Sequence, residues 1–469
     1  MTQDRLSVRE MFALRGIEAD FDMPFPAHVA SDGRDVRPGG VFVALEGART
    51  DGHRHIGQAL ERKAGLIVVR RGKRPSSLPV PCIELDDPER ELGEVASRYM
   101  RYAAPAEVVA VTGSVGKTTT REAIRKTLEG SFVLHAAERS LNTVIGCSST
   151  ILTMPLKTKL LLLEFGANSM GEIRNLVRLF PPTVALVTQV APVHLEGFGS
   201  LQGVLKAKME IAESENLKYF VYDGDNPLLR DAAGNLAARV KAFGVGKEKG
   251  EYRVKNPMFH MEKNLPTLSF DLEFRRETVF FRSSVWGEKL SMPVAMGAAV
   301  GNILGLGLES CANALSSFTG LKGRGRVLSL SASDRHRFVV DDAYNSNPVS
   351  MRSSLETYLS LKIADRKYAI LADMKELGED EIRYHEDLLP LIERLDGVIF
   401  VGQNWKRVAA SCGKKKWRFV DKWSQAAELL TADKNWEGLL IKGSNSFCLE
   451  ELVNWLTTAP EYTLGTVGG

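Results

Sequence analysis

The chain has 469 residues and is almost charge-balanced, with 61 Lys and Arg against 58 Asp and Glu. That length exceeds one ordinary core and implies about three domains. The charge balance, with no basic block carrying interleaved aromatics, argues against nucleic-acid binding. No apolar stretch approaches the ~20 residues needed to cross a bilayer, so no membrane span is expected. The start Met1-Thr2-Gln3-Asp4-Arg5 lacks the pattern of a secretory signal, and a cytoplasmic location is expected. Cys82, Cys147, Cys311, Cys412 and Cys448 lie far apart, with no spacing suited to zinc or a disulfide framework.

Residues 1–104 mix short apolar runs, Val41-Phe42-Val43-Ala44-Leu45 and Gly65-Leu66-Ile67-Val68-Val69, with turn residues, and read as a small α/β unit. Ser31-Asp32-Gly33-Arg34 forms a polar turn on its own chemistry. His53 and His55 flank Arg54 in a Gly/Asp-rich turn and read as solvated rather than metal-binding.

Residues 105–320 carry stronger strand candidates: Val108–Val111, Leu160–Leu163 and Val184–Val187. Continuous apolar runs of this kind suit a parallel sheet buried on both faces. Between the first of them and a helix-like segment stands Thr112-Gly113-Ser114-Val115-Gly116-Lys117-Thr118-Thr119. Strand, glycine loop and helix start together aim backbone N–H groups and a positive dipole end at an anion, which makes this a nucleotide phosphate site. Lys117 meets the outer phosphates and the Thr118 hydroxyl suits Mg²⁺. Val111 stands where the commonest form of the motif has its first glycine. Glu164 ends the Leu160 run, a costly place for a carboxylate unless it serves a cation or a salt bridge. His194 follows the Val184 run at the same sheet edge, where open α/β sheets collect ligands. The irregular alternation over 252–294 suggests antiparallel strands inserted in this domain.

Residues 321–469 open on Gly323-Arg324-Gly325-Arg326 and hold four strand candidates, Phe338–Val340, Tyr368–Leu371, Val398–Val401 and Leu439–Ile441, separated by amphipathic stretches. They predict a second doubly wound, Rossmann-like sheet. The tail after Thr458 reads as loose, and segments 104–106 and 321–325 as hinges.

With these motifs in hand the chain resembles the Mur ligase family over nearly its whole length. The resemblance is carried by the Thr-Gly-x-x-Gly-Lys-Thr loop, by Glu164-Phe165-Gly166-Ala167-Asn168 with Gly171-Glu172-Ile173, and by His194–Ser200 leading to Lys206–Glu210. Asp341–Pro348 and Asp373–Glu379 extend it into the third region. It implies a three-domain α/β fold with a UDP-substrate domain, a central P-loop ATPase domain and a C-terminal Rossmann-like domain. The activity it implies is ATP-dependent amide-bond formation through an acyl phosphate, adding D-alanyl-D-alanine to a UDP-muramoyl peptide, by a monomer.

The same resemblance implies residue roles. Gly113, Ser114, Gly116, Lys117, Thr118 and Thr119 would hold ATP. Two Mg²⁺ ions would be held by Thr118, Glu164, His194 and a Lys208 carbamylated by CO₂. Asn302 would contact adenine, Arg324 or Arg326 would reach the γ-phosphate, and Asp342, Tyr344 and Asn345 would complete the nucleotide side. Ser31, Asp32 and Arg34 would bind the UDP portion, and Asn142 and Thr143 the acceptor. The sequence departs from the family pattern at Gly33, Thr143, Ala298, Ala299 and Asn445. The competing readings are a family member that adds a different amino acid, a P-loop phosphotransferase, and a non-catalytic nucleotide-binding scaffold.

Overall fold

The computed structural model describes residues 4–47, 50–192, 195–236, 238–262, 265–332, 335–361, 364–409, 417–433, 435–459 and 462–464. Its architecture is three sheets with helices packed on them. The first has four parallel strands in sequential order: β1 (Val29–Ala30), β2 (Val41–Val43), β3 (Leu66–Arg70) and β4 (Cys82–Leu85). The helix Pro88–Ala103 leaves it, capped by the Asp87 side chain with proline in its first turn. Its Leu92, Val95, Ala96, Tyr99 and Met100 are buried in the core shared with the central domain.

The central sheet has nine strands: β5 (Glu107–Thr112), β6 (Leu134–Ala136), β7 (Leu160–Glu164), β8 (Val184–Val187), β9 (Tyr219–Asp223), β10 (Lys241–Gly246), β11 (Tyr252–Glu262), β12 (Leu265–Phe274) and β13 (Glu277–Ser283). Their order is β13-β12-β11-β10-β9-β8-β5-β7-β6. Strands β5 to β11 are mutually parallel, and the segment expected to hold antiparallel strands does so, as β11–β13, which prolong the same sheet. Its alternating exposure fits an edge with one solvated face. The helix Ser291–Ile303 packs on the helix Lys117–Leu128 through glycines. A Cβ at Gly297 would stand 2.9 Å from the Ala123 Cβ, and one at Gly301 2.5 Å from the Thr127 methyl. Ala298 and Ala299 are wholly buried in the same packing, which takes only small side chains.

The third sheet holds β14 (Arg326–Ala332), β15 (Arg335–Asp342), β16 (Lys367–Ala372), β17 (Gly397–Val401), β18 (Trp417–Val420), β19 (Gly438–Lys442) and β20 (Thr463–Leu464). Strands β15 to β19 are parallel in the order β18-β17-β16-β19-β15, with β14 and β20 antiparallel at one edge. The described residues after Thr458 are tied down where a loose tail is expected: Ala459 and Tyr462 are buried, Tyr462 packs against Trp436, and Leu464 pairs with Leu330. Among the described residues no helix is long and apolar enough to cross a membrane. Cys82, Cys147 and Cys311 are buried free thiols and Cys448 an exposed one.

Candidate active site at the phosphate loop

Register in the central sheet assembles the site. Val111 of β5 pairs with Glu164 of β7 on one side and Leu186 of β8 on the other, so three strands end at one level. The glycine loop follows directly. Gly113 has φ +145° and Gly116 φ +85°, both open to glycine at little cost. A Cβ on Gly113 would lie 2.0 Å from the Thr188 hydroxyl, so the loop is pressed against the chain leaving β8. Ser114 ties the two segments further: its N–H donates to Gln189 O (2.8 Å) and its hydroxyl to Ala191 O (3.0 Å). Gly116 then caps the helix that begins at Lys117, with Thr118 and Thr119 buried in its first turn.

Glu164, 2 % exposed, is the hub. It accepts from the Thr118 hydroxyl (2.9 Å), the Ser140 hydroxyl (2.7 Å) and the Asn142 amide (3.1 Å), while the Arg121 guanidinium stands 3.7 Å away. Burial pushes its carboxyl up, but Lys117, Arg121 and Ser140 together hold it below the ordinary carboxylate range. The carboxylate is therefore ionised. Lys117 donates to Gly113 O (2.8 Å), curling back over the loop. Burial pulls its ammonium below the usual lysine value, with Glu164 opposing and the Arg324 guanidinium reinforcing. A hydroxyl and an ionised carboxylate in contact beside a phosphate loop are hard oxygen donors of the kind Mg²⁺ takes.

Lys208, on the helix Leu201–Met209, is 1 % exposed. Its ammonium reaches Ala167 O at 3.4 Å and lies over the Phe198 ring at 5.1 Å. Burial, with repulsion from Lys117, pulls it down to about 7. The start of the helix Glu172–Leu179 is fixed by Glu210, 1 % exposed, which accepts from the Gly171 and Arg174 N–H groups. His194 lies outside the described residues.

The third domain meets this cluster through Arg324, which stacks 4.1 Å over the Tyr344 ring and whose charge is felt at both Lys117 and Glu164. Arg326 is occupied elsewhere: it is paired at 2.9 Å with Asp341, itself 1 % exposed. Asp342 accepts from Lys442 (2.8 Å) and from Ser354, and Asn345 accepts from the Ser346 N–H. These residues gather at the carboxyl ends of β15 and β19.

Asn302, expected at the adenine, is hydrogen-bonded within the protein: its carbonyl accepts from the Tyr252 hydroxyl (2.7 Å) and its amide donates to Leu306 O (2.9 Å). Gly297 faces Ala123 and Gly301 faces Thr127, so Asn302 lies level with the far end of the phosphate-loop helix.

In the first domain Asp32 caps a short turn, accepting from the Arg34 N–H, and pairs with the Arg34 guanidinium at 2.7 Å. A Cβ at Gly33 would come 2.9 Å from the Gln58 side-chain oxygen and 3.2 Å from His55 O, so a larger residue there would need the Gln58 side chain to move. Thr143 accepts from the Gly146 N–H and caps the helix Val144–Leu152. His53 is not solvated as expected: its side chain is 9 % exposed, bonded to Asp51 at 2.6 Å, and its other nitrogen accepts from the Arg70 N–H. Glu46, Asp51 and His53 converge, but Lys73 already bridges the two carboxylates. Ser140, Arg121, Glu210 and Lys442 were not singled out as site residues from sequence. Ser140 stands two positions before Asn142, which is expected at the acceptor, and that proximity is the available signal.

Comparison with known proteins bears on the same regions. Residues 27–111 match the model of the Mur ligase family catalytic domain, 111–299 the Mur ligase middle domain, and 323–445 the Mur ligase glutamate ligase domain. The chain is 30 % identical over 446 residues to the UDP-N-acetylmuramoyl-tripeptide–D-alanyl-D-alanine ligase of Bacillus subtilis, covering 92 % of this chain and 93 % of that one. The chain belongs to the Mur ligase family. Among solved Mur ligases, the MurF ligase of Thermotoga maritima in complex with ADP is 26 % identical, with a TM-score of 0.73 over 91 % of this chain and 96 % of that one. A MurF from Acinetobacter baumannii shares the fold at 24 % identity, with a TM-score of 0.78 over 96 % of this chain and 99 % of that one. The Mur ligase match runs through all three sheets, with the phosphate loop at the join of the first two matched domains.

Proposed function

We propose that this chain is an ATP-dependent ligase that joins D-alanyl-D-alanine to a UDP-N-acetylmuramoyl-tripeptide in peptidoglycan precursor synthesis. The observation that carries the reading is 30 % identity to a ligase of that activity along 92 % of the chain. The ionised Glu164 bonded to Thr118 beside Lys117 supports it independently. The working units are residues 1–104 for the UDP substrate, 105–320 for ATP and 321–469 for closure over the site. The enzyme acts in the cytoplasm as a monomer, a reading in keeping with a site drawn from the central and third domains of one chain.

ATP lies on the loop N–H groups from Gly113 to Thr119, with Lys117 against its outer phosphates. Thr118 and Glu164 would hold one Mg²⁺, and His194 with Lys208 would hold a second. Mg²⁺ supplies positive charge to the phosphate oxygens where charge accumulates during transfer. Lys208 fits its role once modified. With its amine drawn down to about 7, a large neutral fraction is available to add to CO₂ and release one proton, which turns a repelling cation into an anionic oxygen ligand.

The acceptor's terminal carboxylate attacks the γ-phosphorus, the bond to ADP breaks, and an acyl phosphate forms. The dipeptide amine then attacks the acyl carbon, phosphate leaves, and the amine gives up its proton. Lys117 and Arg324 stand where charge builds on the transferred group. Arg324, rather than Arg326, is the arginine for this task, because Arg326 is committed to Asp341. Asn142 presents its amide beside Glu164 at the acceptor end, and Ser31, Asp32 and Arg34 take the UDP. ADP release measured against a matrix of UDP-muramoyl peptides and amine donors tests the reading. Release must depend on both an acceptor and D-alanyl-D-alanine, and no stimulation by the dipeptide with any acceptor overturns it.

A further inference from the structure

The segment 138–142, which follows β6, touches the Glu164 cluster at one end and the first domain at the other. At its inner end Ser140 and Asn142 donate to the Glu164 carboxylate (2.7 and 3.1 Å), and Asn142 O accepts from the Gly166 N–H (2.8 Å). A Cβ at Gly166 would stand 2.7 Å from the Asn142 side chain, so this end has no room to shift. In the middle Arg121, 1 % exposed, donates to Arg139 O at 2.6 Å while its guanidinium stands 3.7 Å from Glu164. One buried cation thus grips the backbone of the segment and faces the carboxylate that the segment holds. At the outer end two exposed side chains cross to the first domain. Arg139 pairs with Asp35 (3.0 Å) and Glu138 with Arg37 (2.5 Å), a base and an acid from each side. The Arg37 guanidinium holds the Glu138 carboxyl below the usual range, so that pair is ionised at neutral pH. Asp35 ends the short turn Gly33–Asp35, which Asp32 caps and which carries Arg34.

A single exposed ion pair contributes little. Here two join the same two segments, one of which is fixed by buried bonds, so each pair restricts the other. The ligase reading, on which this inference rests, puts the UDP on Ser31, Asp32 and Arg34 and a Mg²⁺ on Thr118 and Glu164. We infer that Arg139 is a positioning residue that couples these two places. Its side chain follows the turn that takes UDP, its carbonyl is gripped by Arg121, and its neighbour Ser140 sets the Glu164 carboxylate. A ligand that orders the turn therefore orders Glu164 for the metal, and the metal-bound nucleotide favours UDP by the same factor. The two ligands need not touch.

UDP alone is the probe, because it lacks the peptide that reaches the ATP site. The affinity for the non-hydrolysable ATP analogue AMP-PNP is titrated by calorimetry with and without saturating UDP, in Mg²⁺ and in EDTA, for wild type, Asp35→Asn, Arg139→Gln and Arg139→Lys. For wild type in Mg²⁺, UDP tightens AMP-PNP binding by about fivefold, the low end for coupled sites. In EDTA it has no effect, because the relay ends on a metal ligand. In Asp35→Asn and Arg139→Gln the factor falls toward one, while affinity for Mg²⁺ and AMP-PNP without UDP stays within about twofold, since the altered pair is exposed. Arg139→Lys, which keeps the charge, keeps most of the factor. A wild-type factor of one overturns the inference, as does a factor that survives both neutralising substitutions or that persists in EDTA. A loss in Arg139→Lys as complete as in Arg139→Gln overturns the role given to the charge pair. A wild type to which UDP does not bind would instead sink the substrate assignment of the ligase reading.

Discussion

Lys208 provides a stability test that does not depend on turnover. Its amine falls from an ordinary value of 10.5 to about 7 in the folded chain, chiefly through burial. At 1.36 kcal/mol for each pH unit, the difference of 3.5 (10.5 minus 7) corresponds to about 5 kcal/mol. Between pH 7 and 10.5 the unfolded chain binds this proton and the folded chain does not, so the wild type gains stability as pH rises through that window. Below pH 7 the full penalty is present, and above 10.5 it is gone. Lys208→Met, which keeps the length and discards the charge, is thus expected to stabilise the metal-free, CO₂-depleted protein by about 3–5 kcal/mol at pH 6, with the gain shrinking to near zero by pH 10.5. For a domain of this size that is on the order of 10 °C in the unfolding transition at pH 6. Thermal melts of both proteins from pH 6 to 10.5 check it. A difference independent of pH, or a Lys208→Met protein less stable at pH 6, would refute the burial argument. The same variant is expected to be inactive, so stability and activity move in opposite directions, as they do where function maintains a strained site.

Two further outcomes follow from the geometry. Gly113→Ala places a Cβ on the Thr188 hydroxyl at a φ that L residues rarely adopt, and is expected to cost about 2 kcal/mol or more and to abolish nucleotide binding, read by melts and by ADP titration. Arg324 and Arg326 should separate cleanly. Arg324→Ala lowers kcat by tenfold or more, on the order of what one lost charge-stabilising group costs, with an unchanged melt, whereas Arg326→Ala leaves Asp341 buried without its guanidinium and costs about 2 kcal/mol in a denaturant melt. Equal melts for the two variants would refute the division of labour.

Much of the fold was legible because its signals are local. Apolar runs such as Leu160–Leu163 and Val398–Val401 mark buried parallel strands, and all of the runs read as strands lie within strands of the structure. Strands without such runs escaped: β6 is three half-buried residues, and β20 is two residues whose only strand neighbour is β14. The phosphate loop was legible for the same reason, since Gly113 and Gly116 set its backbone by their own conformational freedom. The sequence alone thus determined the loop, the acid at the end of β7 and the class of chemistry.

Only the tertiary structure decided how those groups are charged and what they touch. The register pairing Val111 with Glu164 brings Thr118, Ser140, Asn142 and Arg121 around one carboxylate from positions up to 46 residues away in the chain (164 minus 118). Arg324 and Arg326 are two residues apart and chemically identical, yet one faces the phosphate loop and the other a buried aspartate. Asn302 is placed by the glycine-mediated packing of its helix at the far end of the phosphate-loop helix, against Tyr252, a neighbour 50 residues away in the chain. A side chain's protonation and partners depend on what surrounds it in three dimensions, and long-range register, not sequence spacing, sets those surroundings.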